Sequence, residues 1–142
     1  MDITSANCVY MLSIPNLYPV AQRLQGFAAD AAFATEEVDT AETVMGVDGL
    51  MSAGFTPYIT AQTITFQPDS PSIQIFELWA STQKSTKSIY PGAATIQIPS
   101  ISKKYTMVKG VLRRVSPMPT AAKILQPMTY RLEWQDADPA PI

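Results

Sequence analysis

Histidine is absent from this 142-residue chain. That removes the usual base for serine and cysteine nucleophiles, and with it the commonest zinc ligand. A single cysteine, Cys8, excludes an internal disulfide and any cysteine-cluster metal site. Set among apolar neighbours, it reads as an inert thiol. Glycine is sparse, and the spacing of Gly46 and Gly49 is not that of a phosphate-cradling loop. No apolar run approaches the ~18–20 residues of a membrane-spanning helix. The opening residues Met1 to Thr4 lack the basic region of a secretory signal, the first base being Arg23, so cytoplasmic synthesis is expected. These gaps leave few parts for chemistry. The expectation is a structural protein rather than an enzyme, without cofactor or metal.

What is present is a core-forming composition. Apolar residues make up 46% and charged residues 15%, enough for one domain with its own hydrophobic interior. The net charge of −2 conceals a segregation. From Leu24 to Gln83 there is no Lys or Arg but there are eight acids: Asp30, Glu36, Glu37, Asp39, Glu42, Asp48, Asp69 and Glu77. From Lys84 to Leu132 there is no Asp or Glu but there are nine bases: Lys84, Lys87, Lys103, Lys104, Lys109, Arg113, Arg114, Lys123 and Arg131. One arrangement mixes the two signs in space within a monomer. Another gives the molecule an acidic and a basic surface, so that identical copies attract head to tail into rings or filaments. A third, a basic half that binds nucleic acid, lacks any supporting motif and sits beside a pI near 5.0.

Periodicity places the elements. Cys8 to Ile14 is nearly continuous apolar sequence, a buried strand or an arm within residues 1–15, and Val20 to Phe27 is a second strand. Ala28 to Thr35 reads as a short helix or a loop, and Glu36-Glu37 as a solvated acidic turn. Asp48-Gly49 between the apolar runs Thr43–Val47 and Leu50–Phe55 predicts a hairpin with a type I′ turn, which needs positive φ at both central residues. Gln62 to Gln67 alternates, with Ile64 and Phe66 on one face. Ser70 as N-cap and Pro71 in the first turn announce a helix over 70–88, with Ile73, Phe76, Trp79 or Ala80, and Gln83 on one stripe. Ala94 to Ile98 and a central Lys104 to Val115 follow as strands. Ser116 to Leu125 is a loop or short helix. Met128, Tyr130, Leu132 and Trp134 alternate with Thr129, Arg131 and Glu133 in the last strand, and residues 136–142 form an extended tail. The sum is a mainly β domain: a small barrel or sandwich of six to eight strands with one packed helix and an extended hairpin. Ile64, Phe66, Phe76, Trp79, Tyr130, Leu132 and Trp134 are the expected core anchors, although either tryptophan could instead fill a neighbour's pocket.

The run from Asp39 to Phe55, followed by Gln62 to Phe66, Asp69 to Ser72 and the closing Leu125 to Trp134, resembles tail proteins of contractile-tailed bacteriophages. Element order is similar to the wider tail-tube group, which includes the Hcp-type tubes of type VI secretion. The resemblance implies a virion tail protein that forms hexameric rings stacked into a hollow tube. DNA passes through that tube without sequence-specific binding. The implied partners are the sheath, the baseplate and terminator proteins and the tape-measure protein, with no membrane. On that footing residues 34–58 would be an arm reaching an adjacent ring, with Glu36, Glu37, Asp39, Glu42, Met45, Asp48 and Met51 as its contact residues. Lys103, Lys104, Lys109, Arg113 and Arg114 would supply the complementary basic surface, and Asp39, Glu42 and Asp48 are candidates to face the lumen. Another tail role (baseplate hub, tail terminator or fibre-associated protein) and an unrelated small β-rich binding module are the alternatives. A repeat-free domain of this size is unlike a fibre shaft.

Overall fold

The computed structural model describes residues 8–28 and 32–142, so residues 1–7 of the N-terminal arm and Asp30 lie outside the described residues. Nine strands and one α-helix follow in the order β1 (Val9–Ile14), β2 (Tyr18–Arg23), β3 (Phe33–Thr35), β4 (Ala41–Met45), β5 (Met51–Phe55), β6 (Thr60–Phe66), α1 (Ile73–Thr86), β7 (Gly92–Ile98), β8 (Lys103–Val115) and β9 (Met128–Pro141). Seven strands form one antiparallel sheet in the order β2-β1-β7-β8-β9-β6-β3, and β4 and β5 form a separate ribbon. The mainly β class with one packed helix and an extended hairpin is the fold adopted. The strand count rises to nine because Phe33 to Thr35, read from sequence as helix or loop, pairs with Ile64, Thr63 and Gln62 on β6. Three residues carry too little pattern to reveal a strand.

The sheet curls without closing into a barrel. Tyr10 on β1 donates a 2.6 Å hydrogen bond to Gln62 Oε1 on β6, although these strands lie far apart in the sheet order. After β2 the chain crosses to β6, where Phe27 bridges Phe66 and the Ala28 N–H donates to the Thr65 carbonyl. The concave face is the core. Met128, Tyr130, Leu132 and Trp134 point into it from β9, as their alternation requires, and Ile64 and Phe66 join them from β6. Helix α1 covers this face with Ile73, Ile75, Phe76 and Trp79, and the Phe76 and Tyr130 rings stack at 4.7 Å. Each such side chain contributes about 1.5–3 kcal/mol when removed from water.

Caps and bends explain the boundaries. The N-cap is Ser72 rather than Ser70, and its side chain makes no cap bond. The Ser70 hydroxyl instead accepts the Ser72 N–H in a turn ahead of the helix, so regular helix begins at Ile73, two residues after Pro71. Lys87, at φ 58°, closes the helix with its N–H on the Gln83 carbonyl. The central position of Lys103–Val115 is confirmed: β8 is the fourth of seven strands. Two irregularities shape it. At Lys109, φ 49°, the strand changes phase, so Met107 and Gly110 both face inward although three residues apart. At Arg113 the register to β9 shifts, which leaves Arg113 and Arg114 both exposed. Gly110 is obligatory, since a Cβ there would lie 2.3 Å from the Trp134 ring. The tail is extended, but not free: Asp136 to Pro141 pair with Lys103 to Val108. Residues 116–127 form a loop pinned by an Ala121–Leu125 bridge.

Candidate functional site: an exposed hairpin and the grooves around it

The β4–β5 ribbon stands off the main sheet. Opposed residues in an antiparallel pair share a face. Ala41 and Phe55, Thr43 and Ala53, and Met45 and Met51 therefore form one side, while Glu42 with Gly54 and Val44 with Ser52 form the other. The first side is apolar, yet Met45 (65%), Met51 (63%) and Phe55 (75%) are exposed. Val47 and Leu50 extend the apolar surface to the tip, and every residue from Asp39 to Phe55 is exposed. An isolated two-stranded ribbon is at best marginal in water, and a contiguous apolar patch marks an interaction surface.

The turn departs from the type I′ expectation. Gly49 has φ 86°, whereas Asp48 does not adopt positive φ. The Gly49 N–H donates to the Gly46 carbonyl at 3.0 Å and the Gly46 N–H to the Leu50 carbonyl at 2.8 Å. This is a three-residue loop with one left-handed glycine after the turn, so only Gly49 needs the special conformation. Asp48 serves it by accepting the Leu50 N–H on Oδ1 at 3.1 Å.

The root is held by charge. Glu36 is not a freely solvated turn residue: both its carboxylate oxygens pair with the Arg131 guanidinium of β9. Hydrogen bonding from Arg131, opposed by partial desolvation and aided by the charges of Arg131 and Arg114, holds the Glu36 carboxyl below the usual carboxylate range. Arg131 also lies 3.6 Å from Glu133, which accepts a 2.6 Å bond from the bulged Arg113. Above the root the Thr56 N–H donates to the Thr40 carbonyl at 3.1 Å.

The seven predicted contact residues therefore share one projection. Glu36 anchors its base, Glu37 and Asp39 are exposed near the root, Glu42 lies on the polar side, Met45 faces Met51 on the apolar side, and Asp48 shapes the tip. The five basic positions are not brought together. Lys103 and Lys104 open β8, Lys109 marks its bend, and Arg113 and Arg114 sit near its far end, roughly 30 Å away at ~3.3 Å per residue. Sequence reasoning omitted Arg131 and Glu133 from the site. Both belong to the outward alternation of the last strand, but pairing across 95 residues with Glu36 leaves no local signal.

Two grooves flank these elements. One, of about 420 Å³, lies at the hairpin root between Val38, Tyr58, Ile96, Ile98, Tyr105 and Met107. The other, of about 650 Å³, runs between α1 and the ends of β8 and β9, with Glu77, Lys84 and Arg113 in its wall. The Tyr130 hydroxyl borders the second groove, buried without a hydrogen-bond partner among the described residues. Burial, with the Glu77 charge, pushes its pKa up to about 12. No helix among the described residues is long and apolar enough to cross a membrane.

Comparison with known proteins adds three findings. The profile of a family described as tail fiber protein gp32 matches residues 1–138. No curated protein sequence matches the chain. Among solved structures, a chain of the extracellular contractile injection system PVC sheath-tube complex in the extended state is similar at a TM-score of 0.67 and 7% identity, over 99% of this chain and 93% of that one. A chain of the anti-feeding prophage cap, its tube-terminating cap, gives 0.63 and 6%, over 100% and 93%. A chain of the six-fold symmetrised anti-feeding prophage baseplate gives 0.61 and 12%, over 99% and 97%. At these identities the likeness establishes a shared fold.

Proposed function

The chain belongs to the tail fiber protein gp32 family, and from that premise we propose that it is a non-enzymatic structural component of a contractile tail, assembling as stacked, six-membered rings that form the inner tube. The observation that carries this reading is the hairpin: an apolar face more than half exposed, on a ribbon that cannot bury it alone. Near-complete coverage of chains from a sheath-tube complex, a tube cap and a six-fold baseplate supports the same reading. The curled single domain does not have the repeated units of a fibre shaft, so the proposed role is tube rather than fibre. On this reading the sheath, baseplate, terminator and tape-measure proteins are its partners, and DNA crosses the lumen without base-specific contacts.

A second reading, a tail terminator or baseplate ring, is favoured by the cap and baseplate neighbours. Negative-stain electron microscopy of the purified protein at low ionic strength separates the two. Stacked tubes support the tube role, whereas rings that never stack support a terminator or baseplate piece. Solitary monomers at high concentration would sink both.

A further inference from the structure

We propose that the apolar face of one molecule's hairpin is received by the groove at the hairpin root of the next molecule. This rests on the self-assembly reading above and names the receiving site for it. The groove's floor is apolar and deep, formed by Ile96 and Met107, and its walls by Ile98, Tyr105, Val38 and Tyr58. That surface matches the Met45, Met51 and Phe55 side of the ribbon in chemistry, and its volume of about 420 Å³ leaves room for side chains rather than a whole element.

A molecule's own hairpin does not fill its own groove. Val38 and Tyr58 at the root help build the groove wall, and although the Phe55 ring meets Tyr58 edge-on at 6.5 Å, none of Met45, Met51 and Phe55 lines the groove. The occupant therefore comes from a second copy, in a head-to-tail contact that repeats around a ring or along a stack.

Charge selects this groove over the larger one beside α1. Lys103 shares the inward side of β8 with Tyr105 and is in register with Ile98, which sets it at the groove's mouth, whereas Lys104 alternates to the opposite face. Neither lysine makes an ion pair with a described residue, and the hairpin carries Asp48 at its tip and Glu42 on its polar side but no base. The one acid in this groove, Glu36, is already matched by Arg131. In the larger groove Arg113 is taken by Glu133, and Glu77 in the wall offsets the charge of Lys84 beside it, leaving no net attraction for an acidic ribbon.

The test uses full-length protein with Cys8→Ser, in which a single cysteine is introduced as Met51→Cys, Ile98→Cys or Ser81→Cys, and bismaleimidoethane as cross-linker. Mixing Met51→Cys with Ile98→Cys protein should give a covalent dimer that neither gives alone. Lys103→Glu should weaken assembly about five- to tenfold, and more so at low salt. Linkage of Met51→Cys to Ser81→Cys beside α1, or of Met51→Cys to itself, overturns the groove assignment. So do rings that form with no cross-link to Ile98→Cys, and in each of these cases self-assembly stands. A protein that stays monomeric by light scattering, with no cross-link, overturns the groove and the self-assembly reading together.

Discussion

The curled sheet and the hairpin use the same side chains to opposite ends. Met128 and Phe66 are 2% and 0% exposed, while Met51 and Phe55, equally apolar and also on strands, stand in water at 63% and 75%. The difference is what lies across from each face. Seven strands curl until Tyr10 reaches Gln62, and α1 covers much of the hollow, so Met128 and Phe66 are packed among other apolar side chains. The ribbon has two strands and, apart from Tyr58 against the Phe55 ring, no opposing layer among the described residues. Burial is thus a property of the layer opposite, not of the strand itself. In the core, apolar residues stabilise the monomer; on the ribbon, they stay in water and contribute little to it.

Mutations can break that contrast in order of effect. Trp79→Ala empties a fully buried site that also bonds the Tyr90 carbonyl, and should destabilise the monomer by about 3–5 kcal/mol in urea unfolding. The triple change Met45→Ser, Met51→Ser and Phe55→Ser should leave that midpoint within about 0.5 kcal/mol but abolish rings in micrographs. A large loss of monomer stability would mean that the ribbon packs on its own domain. Reversing Glu37, Asp39 and Glu42 to Lys should shorten stacks while the circular dichroism of the monomer is retained; unchanged tube length would remove charge from the account.

The smallest effect concerns the root. Glu36 has its folded-state pKa lowered, so its pairing contributes above the ordinary value of 4.5 and is lost as pH falls through the lower folded value. Amide exchange at residues 36–40 should therefore rise in that acid window ahead of exchange in β6. Glu36→Gln should show the faster exchange already at neutral pH. Equal exchange in the two proteins at pH 7 would show that the pair does not hold the root.

Much of this was legible along the chain. Alternation from Met128 to Trp134 and the stripe of Ile73, Phe76 and Trp79 mark core faces because side-chain direction repeats every two or 3.6 residues, whatever the surroundings. The hairpin was equally legible from Asp48-Gly49, but not its turn type, because register with Gly46 and Leu50 decides whether one or two residues need positive φ. Phe33 to Thr35 was missed as a strand, since only β6 beside it makes it one.

By itself, then, the order of residues determined the strands that alternate, the helix, the projecting hairpin and the segregation of charge, all of which follow from local geometry. The tertiary structure decided which charges meet and which stand apart. Glu36 met Arg131 across the sheet, and β8 carried Lys103 and Arg113 to opposite ends. The reason is physical: a charge's partner is set by distance in space, and that distance exists only once the sheet has curled.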